Sequence, residues 1–395
     1  KVNKEADSCP EQVSAEDIKN RKDLRNVFTL TIDPLDARDF DDALSVEELK
    51  NGEWEIGVHI ADVSHYVQPG GALDREAQRR GNSTYLVGEV VPMLPHRLSS
   101  GICSLVEGEE RLVKSVFFVF SKEGKVIRSK ITESVILSDK RLTYEQAGLF
   151  LRENDLEAIK SAKPPPSRYS GNPGKTLDEI SNTLLKNLQL NIRKIASLAS
   201  LLRTERMRKG SLDLESMEVK ILVDDKGEPE KILQSESDES HHMIEEFMLL
   251  ANERVAVELR KQKLPGVFRV HPDPDPENLE ELRAFLQIFG ISCGELTGRK
   301  EVTKMLNAMN KHPLAQVLRI KFLRSLKQAC YRSTPDGHYG LAKNDYLHFT
   351  SPIRRYADLI VHRTIEGHVR GNKRKKIDIT RLEGTAKHLS LTERN

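Results

Sequence analysis

The order of hydrophobic and polar residues along the chain predicts strands in its first part and helices in its second. Runs rich in β-branched and aromatic residues predict strands over 27–33, 54–63, 111–121 and 125–137. Apolar residues then recur at helical spacing from about Thr176 to Lys209, and Gly210 ends the pattern. A second amphipathic helix is predicted over about 242–262, and the chain beyond Pro276 is mainly helical in pattern. Strands followed by helices, without regular βαβ alternation, predict an α+β fold.

Turn-forming residues interrupt these patterns at two places. Residues 163–175 are rich in Pro, Gly and Ser, which cannot continue a helix or an interior strand, so they predict a mobile surface loop. The run Asp224-Asp225-Lys226-Gly227 separates two strand-like segments. A β-hairpin is therefore predicted over 217–222 and 231–235.

The composition is that of a water-soluble chain with a sizeable core, since 31% of its residues are charged and 38% are hydrophobic. It contains no run of about 18 apolar residues, so neither a transmembrane helix nor a membrane partner is expected. The net charge of +2 conceals a segregation of acids over 33–42 from bases over 203–209 and 370–376. A negatively charged partner, held by basic surface and cut at an acidic site, would suit that distribution.

The chain has four cysteines, at Cys9, Cys103, Cys293 and Cys330. Because no two have Cys-x-x-Cys spacing, they argue against a zinc site and a disulfide framework. They indicate a reducing compartment, and a cytoplasmic location is expected. His241 and His242 are interpreted as solvated or hydrogen-bonded residues rather than metal ligands.

Five aspartates follow the first predicted strand within ten residues, at Asp33, Asp36, Asp39, Asp41 and Asp42. Carboxylates this close repel one another and cost stability unless cations neutralise them. Mg²⁺ prefers hard oxygen ligands and often acts together with substrate phosphates. The cluster therefore predicts a Mg²⁺ site with Asp33, Asp39, Asp41 and Asp42 as candidate ligands, the pattern that two-metal phosphodiester chemistry requires.

Two different kinds of acidic site fit the sequence less well. A Ca²⁺-binding EF-hand loop starting at Asp39 would need Gly and Glu where the chain has Leu44 and Lys50. An aspartyl-phosphate enzyme would need Asp-x-Asp at the strand end, but Asp33 is followed by Pro34-Leu35. A solvated acidic turn is the plain structural alternative.

A second candidate site lies at residues 348–363. Ser351 is a good N-cap and Pro352 a good first helical residue, so a helix is predicted to start there. Its first turn would carry Arg354 and Arg355, against the preference for acids at a helix N-terminus. Two guanidinium groups beside free backbone N–H groups predict a phosphate site. Pairing of both arginines with acids such as Asp358 is the structural alternative.

Two motifs in combination resemble the RNB family of exoribonucleases. They read Ile32-Asp33-x5-Asp39-Phe40-Asp41-Asp42-Ala43 and Thr350-Ser351-Pro352-Ile353-Arg354-Arg355-Tyr356. Shorter stretches at 59–64, 92–95, 103–105 and 268–271 add to the similarity, which is closer to the ribonuclease R branch than to ribonuclease II. The resemblance implies a catalytic domain over 21–395, in which a mixed β-sheet packs with helices around an RNA channel and a buried acidic metal site.

The activity implied by the resemblance is Mg²⁺-dependent, processive 3′-to-5′ hydrolysis of single-stranded RNA to nucleoside 5′-monophosphates. Asp33, Asp39, Asp41 and Asp42 match the four catalytic aspartates of the family, which would hold Mg²⁺, with two ions expected during catalysis. Arg354 matches the arginine that contacts the scissile phosphate.

The resemblance also implies contacts to RNA with a free 3′ end. Tyr85 matches an aromatic residue that stacks on the terminal nucleotide, and Arg355 lies beside the phosphate-binding arginine. Tyr144 and Glu245 match residues that help to select RNA over DNA, with Glu246 as an alternative to Glu245.

One position departs from the family pattern. In Gly210-Ser211-Leu212-Asp213-Leu214, Leu214 stands where the family often has the Phe that clamps the terminal bases from the second side. Base–aromatic stacking is worth about 1–3 kcal/mol per base. A looser grip on RNA is expected, without an effect on catalysis.

The family carries OB-type RNA-binding domains on both sides of the catalytic domain, and no sequence for them is visible. Residues 1–20 are interpreted as a linker from a missing N-terminal region, and the C-terminal end as truncated. Two other functions stay open at this point: another metal-dependent nuclease, acting on DNA, and a non-catalytic RNA-binding regulator built on the same fold.

Overall fold

The computed structural model describes residues 1–87, 89–162, 174–212, 218–223, 229–235, 237–371 and 378–394. The strands in these ranges are β1 Lys22–Asp23, β2 Thr29–Asp33, β3 Asp42–Glu48, β4 Trp54–Ala61, β5 Thr84–Leu86, β6 Glu89–Val91, β7 Glu110–Phe120, β8 Val126–Leu137, β9 Lys140–Thr143, β10 Glu218–Val223, β11 Pro229–Ser235, β12 Phe268–Val270 and β13 Cys330–Arg332. The helices are α1 Val2–Asp7, α2 Ala15–Ile18, α3 Val63–Tyr66, α4 Ala72–Arg80, α5 Tyr144–Arg152, α6 Leu156–Ser161, α7 Asn182–Arg208, α8 Glu239–Lys261, α9 Pro276–Ile288, α10 Arg299–Asn310, α11 Ala315–Ser325, α12 Tyr356–Val369 and α13 Ile379–Thr392.

A seven-stranded sheet with the order β1-β8-β7-β4-β3-β2-β9 forms the centre of the molecule. Its pairs are antiparallel except for the two at its edges, where β1 runs parallel to β8 and β9 parallel to β2. The predicted α+β class with a mixed sheet is therefore confirmed. The sequence pattern did not reveal β1, β3 or β9 of this sheet. Of these, β3 and β9 flank β2, the strand that carries Asp33.

Helices cover both faces of this sheet because its central strands are apolar on both sides. On one face, Leu30, Val58 and Phe118 pack with α7 and α8. On the other face, Ala61 and Val113 pack with α3, α4, α13 and the first part of α12. A separate apolar cluster joins α9, α10 and α11. Among the described helices, none has the length and apolar content to span a bilayer.

The predicted helix over 176–209 is confirmed from residue 182 onward. Thr176 instead begins a single 3₁₀ turn, Leu177–Glu179, after which Ile180 is extended. Ser181 is the true N-cap, and its hydroxyl accepts a hydrogen bond from the Leu184 N–H at 3.2 Å. The helix ends as predicted, because Gly210 adopts a φ of +89°.

The other predicted elements have mixed outcomes. The predicted hairpin is present as the antiparallel pair of β10 and β11, while its turn residues 224–227 lie outside the described residues. Most of the predicted loop over 163–175 also lies outside them. Residues 1–20, interpreted as a linker, contain α1 and α2, and Ala6 of α1 is buried.

The core between the sheet and α7 generates a stability prediction with a matched control in the same helix. Leu188 is fully buried, whereas Leu190, two residues later, has 68% of its surface exposed. We expect Leu188→Ala to lower the free energy of unfolding by about 2–5 kcal/mol. Leu190→Ala should change it by no more than about 0.5 kcal/mol. Urea denaturation measures both, and equal effects of the two variants would contradict this packing.

Candidate active site

The sheet brings Asp33 and Asp42 together. Asp33 is the last residue of β2 and Asp42 the first of β3. These strands are antiparallel neighbours, with Leu30 paired to Leu44, so the end of one lies beside the start of the other. The two remaining candidate aspartates lie in the loop that joins the strands.

Hydrogen bonds and one buried ring fix the backbone of this loop. Phe40 is buried; its N–H donates to the Ser104 hydroxyl at 2.9 Å, and its carbonyl accepts from the Leu105 N–H at 3.0 Å. The Asp41 carbonyl accepts from the Ala61 N–H at 2.9 Å. Since the backbone is tied at these points, Asp39 and Asp41 are held on either side of Phe40 and cannot move far from the strand ends.

Burial raises the pKa of all four carboxyl groups above the ordinary aspartate value. For Asp33, the neighbouring charge of Asp42 adds to the effect of burial. The pKa of Asp42 itself is raised to about 6 by burial, although the charge of Arg354 opposes this. Burial also raises the pKa of Asp39 and of Asp41, and Arg354 again opposes the shift. The ionised cluster therefore costs stability that a bound cation would offset.

The donor set of the cluster fits a hard divalent cation. Oδ2 of Asp33 and Oδ2 of Asp41 are both buried without a hydrogen-bond partner, which is unfavourable unless another group binds them. In the described ranges, however, no three acidic, histidine or cysteine side chains already enclose a position for a metal ion. The Mg²⁺ site predicted from the sequence stays a prediction, supported by these two oxygens.

The predicted start of the helix at Ser351 and Pro352 is wrong, because α12 begins at Tyr356. Arg355 is extended (φ −136°, ψ 124°) and forms a β-bridge with Asn82. The Tyr356 N–H donates to the Gly81 carbonyl at 2.9 Å. Pairing with residues 81–83 thus holds 351–355 as a turn before the helix. The two arginines therefore do not oppose the helix dipole from within the first turn of the helix.

This turn, residues 351–355, is joined directly to the acidic cluster. The Ile353 N–H donates to Oδ1 of Asp41 at 2.9 Å, in a buried contact. Nε of Arg354 lies 3.4 Å from Oδ2 of Asp41, an ion pair without hydrogen-bond geometry. Arg354 also donates to the Ser351 hydroxyl at 2.9 Å, and 43% of its side chain is exposed. Its side chain is therefore partly exposed while it lies close to the carboxylate of Asp41.

The second arginine of the turn has a different environment. Arg355 donates from Nε and Nη2 to the fully buried carboxylate of Asp358, both at 2.9 Å. The same carboxylate accepts from the Ser351 N–H at 2.8 Å. Arg355 thus has the ion pair with Asp358 that was the structural alternative for both arginines, and it braces the turn that carries Arg354.

Tyr85 stands across from the arginine turn on the hairpin formed by β5 and β6. Its ring is 55% exposed, and its hydroxyl donates to Oδ2 of Asp39 at 3.3 Å. The hairpin is tied to the turn, since the Ser83 N–H donates to the Arg354 carbonyl at 2.9 Å. A cavity of about 240 Å³ lies between them, lined by Tyr85, Arg354 and Arg355 among others.

Tyr144 reaches the site through the edge strand β9. The parallel pairing of β9 with β2 sets Thr143 opposite Asp33, and Tyr144 follows as the first residue of α5. Burial raises the pKa of Tyr144, and the charges of Asp42 and Asp33 raise it further. The phenol therefore remains protonated beside the acidic cluster.

The two adjacent glutamates of α8 differ in availability. Glu246 is buried and accepts from Nε and Nη2 of Arg206 at 3.0 and 2.5 Å. Arg206 also donates to the Ser211 hydroxyl at 2.9 Å, so this pair supports the segment that leads to Leu214. The Glu245 side chain is 47% exposed, and its carboxylate lies 3.7 Å from Nη2 of Arg206. Of the two, Glu245 is the one that a ligand can reach; Leu214 lies outside the described residues.

Sequence reasoning missed Arg141, a buried arginine beside the cluster. Its Nη2 donates to the carbonyls of Pro34 and Leu35 at 2.6 and 3.2 Å, which fixes the turn after β2. Its charge also opposes the raised pKa of Asp33. The one signal in the sequence was a Lys-Arg pair between the apolar residues Leu137 and Leu142. That signal becomes informative only once β9 is known to lie beside β2.

Comparison with known proteins gives a consistent result. The family model described as RNB domain matches residues 21–371. Ribonuclease R of Thermotoga maritima is 42% identical over 374 residues, a match that covers 94% of this chain and 49% of that protein. The structure of Mycoplasma genitalium RNase R with ribose-methylated single-stranded RNA superposes with a TM-score of 0.86 at 29% identity, covering 99% of this chain and 58% of the other. Yeast Ssd1, a pseudonuclease, shares the fold at 20% identity, with a TM-score of 0.73 and coverage of 98% and 44%.

The chain spans about half the length of the curated relatives that it matches. The match of the family model over most of its residues confirms the resemblance carried by the aspartate and arginine motifs. On this ground the chain belongs to the RNB family.

Proposed function

We propose that this chain is the catalytic domain of a Mg²⁺-dependent 3′-to-5′ exoribonuclease that degrades single-stranded RNA processively to nucleoside 5′-monophosphates. The proposal rests on the direct contact between the two parts of the candidate site, the aspartate cluster and the turn that carries Arg354. Oδ1 of Asp41 accepts the Ile353 N–H at 2.9 Å, and Arg354 faces Oδ2 of the same residue. Arg354, which would bind phosphate, and Asp41, which would bind the metal, are therefore held next to each other by the same contacts.

The aspartates and Arg354 would have separate roles in the reaction. Asp33, Asp39, Asp41 and Asp42 would hold Mg²⁺, with enough carboxylates for two ions. Bound Mg²⁺ supplies Lewis-acid activation of water and neutralises charge on a phosphoryl group. Arg354 would bind the non-bridging oxygens of the scissile phosphate and stabilise the negative charge that develops there.

The preference for a free 3′ end of RNA would come from the surroundings of this phosphate. The exposed ring of Tyr85 borders the cavity next to Arg354 and would stack on the terminal base. Tyr144 and Glu245 would read ribose hydroxyls. Arg355 would mainly hold the turn 351–355 in place, and the exposed part of its side chain would lie near RNA. The structure of the related Mycoplasma genitalium RNase R in complex with ribose-methylated single-stranded RNA supports this substrate class.

A non-catalytic RNA-binding regulator is the main alternative, because the pseudonuclease Ssd1 has this fold. The four aspartates and Arg354 favour an enzyme, since a pure binder gains nothing from carboxylates facing phosphate. A DNA nuclease is the second alternative. Glu245, which the family resemblance assigns to RNA selection and whose side chain is 47% exposed, favours RNA over it.

The proposal extends to the rest of the protein. The curated relatives are about twice as long as this chain. From the family resemblance, we propose OB-type RNA-binding domains on both sides of it. We also propose a cytoplasmic location, which is compatible with four cysteines that form no disulfide among the described residues.

Asp41→Asn tests the catalytic role with a matched control in the same loop. The substitution keeps Oδ1 as an acceptor for Ile353 but removes the charge, so hydrolysis of 5′-labelled RNA should fall by orders of magnitude. RNA affinity should persist or rise, because a negative charge near phosphate is lost. The exposed Asp36→Asn should degrade RNA at a near-normal rate. Near-normal degradation by Asp41→Asn would refute the assignment.

The raised pKa of Asp42 predicts a pH-dependent effect of Mg²⁺ on stability. A carboxyl group whose pKa is higher in the folded chain stabilises the fold in its protonated form, and this contribution is lost as pH rises through about 6. MgCl₂ should therefore raise the melting temperature more at pH 8 than at pH 5, at matched ionic strength. Without metal at pH 8, Asp42→Asn should melt higher than the parent and respond less to MgCl₂. An equal response of parent and variant would count against a metal site here.

The pocket beside Tyr85 predicts dependence on a free 3′ end. Linear RNA should be shortened from that end in the presence of Mg²⁺, and a 3′-phosphate or a blunt duplex end should slow the reaction. An all-DNA strand should resist degradation. Circular RNA of the same sequence is the control, and cleavage of the circle as fast as the linear strand would identify an endonuclease instead.

A further inference from the structure

A stacked pair of rings stands beside the acidic cluster. The rings of Tyr144 and His241 lie 3.9 Å apart between centroids, with an angle of 13° between their planes. Tyr144 is the first residue of α5, and His241 lies in the first turn of α8. The two helix starts therefore meet at this stack, although they are about 100 residues apart in the chain.

The residue that caps the same helix holds the ring of His241 in position. Its Nδ1 lies 2.8 Å from the carboxylate of Asp238, so in the tautomer protonated at Nδ1 the ring donates to that carboxylate. Asp238 is the N-cap of α8 and also accepts from the Ser240 N–H at 3.0 Å. Because the cap anchors the carboxylate, and the carboxylate orients the imidazole, the position of the ring is set by the start of α8.

The stack limits which parts of Tyr144 a ligand can contact. His241 covers one face of the phenol ring at van der Waals distance, so no nucleobase can stack on that face. A ligand can then contact the opposite face of the ring or its edge, which carries the hydroxyl. The register of β9 with β2 places Tyr144 next to the strand end that carries Asp33. At that position the phenol hydroxyl on the ring edge is suited to hydrogen-bond a ribose hydroxyl.

His241 also connects Tyr144 with the accessible glutamate. His241 and Glu245 are four residues apart in α8, so their side chains lie on the same face of the helix. Glu245 is half-exposed there. One helix turn thus presents a ring that holds Tyr144 and a carboxylate that can accept a hydrogen bond from ribose.

We infer that His241 is a positioning residue for ribose recognition: it holds the Tyr144 hydroxyl toward the substrate ribose and thereby sets the preference for RNA over DNA. The inference rests on the proposed function, because it assumes that Tyr144 and Glu245 face RNA. Asp238 would act through His241, and His241 itself would not touch the reacting phosphate.

A double-mutant cycle on substrate preference tests this role. The measurements are the rate of 3′-end removal with Mg²⁺ and the dissociation constant in EDTA, for an RNA oligonucleotide and its all-DNA counterpart. Tyr144→Phe and His241→Ala should each reduce the RNA-to-DNA preference about tenfold, as expected for loss of one well-placed hydrogen bond. The double variant should show no greater loss than the single variants, because both remove the same contact.

Two further variants separate positioning from general stability. His241→Phe keeps a flat ring on Tyr144 and should retain most of the preference. His96→Ala, a change of the same type at an exposed position, should leave preference and melting temperature unchanged.

Three results would overturn the inference. The first is an unchanged preference in His241→Ala. The second is additive loss in the double variant. The third is an equal fall on RNA and DNA with a lower melting temperature, which would mean that His241 is only structural. If the parent chain degrades no RNA, the proposed function fails separately, and the affinity ratios in EDTA still test the role of His241.

Discussion

The burial of four neighbouring carboxyl groups is the constraint on which the rest of this structure depends. Burial raises the pKa of each, so the ionised cluster is unfavourable unless opposite charge lies close by. Within the chain, that charge comes from Arg354 and Arg141. Neither makes a hydrogen bond to the unpartnered oxygens of Asp33 and Asp41. The two arginines therefore oppose part of the charge of the cluster and leave these two oxygens without a hydrogen-bond partner.

The site that satisfies this constraint is formed by segments that lie far apart in the sequence. The hydrogen bond from Ile353 to Asp41 joins residues 312 positions apart. Behind it, Asp358 binds Arg355 and the Ser351 N–H, so the shape of the arginine turn is fixed independently of any ligand. A site preorganised in this way would lose little free energy to rearrangement when RNA and metal bind.

The sequence allowed the residues that meet at the site to be predicted better than the backbone structure that holds them. The aspartate cluster and the arginine pair were identifiable because their residue types are unusual at that spacing. The start of α12 was predicted too early because Ser351 and Pro352 are good local signals. A bridge between Arg355 and Asn82 overrides them, and a contact between distant segments leaves no local pattern. For the same reason, Arg141 became visible only through the pairing of β9 with β2, and His241 only through its stack on Tyr144.

The central claim is that the aspartate cluster holds metal ions against a phosphate that Arg354 also binds. Crystals grown with Mn²⁺ and an RNA oligonucleotide whose 3′-terminal linkage resists hydrolysis test it most directly, because Mn²⁺ scatters anomalously. We expect anomalous peaks at coordination distance from Asp33 and Asp41, with the last phosphate between the metal and the Arg354 guanidinium. RNA bound in the cavity beside Tyr85, with no anomalous peak at the aspartates, would contradict the claim.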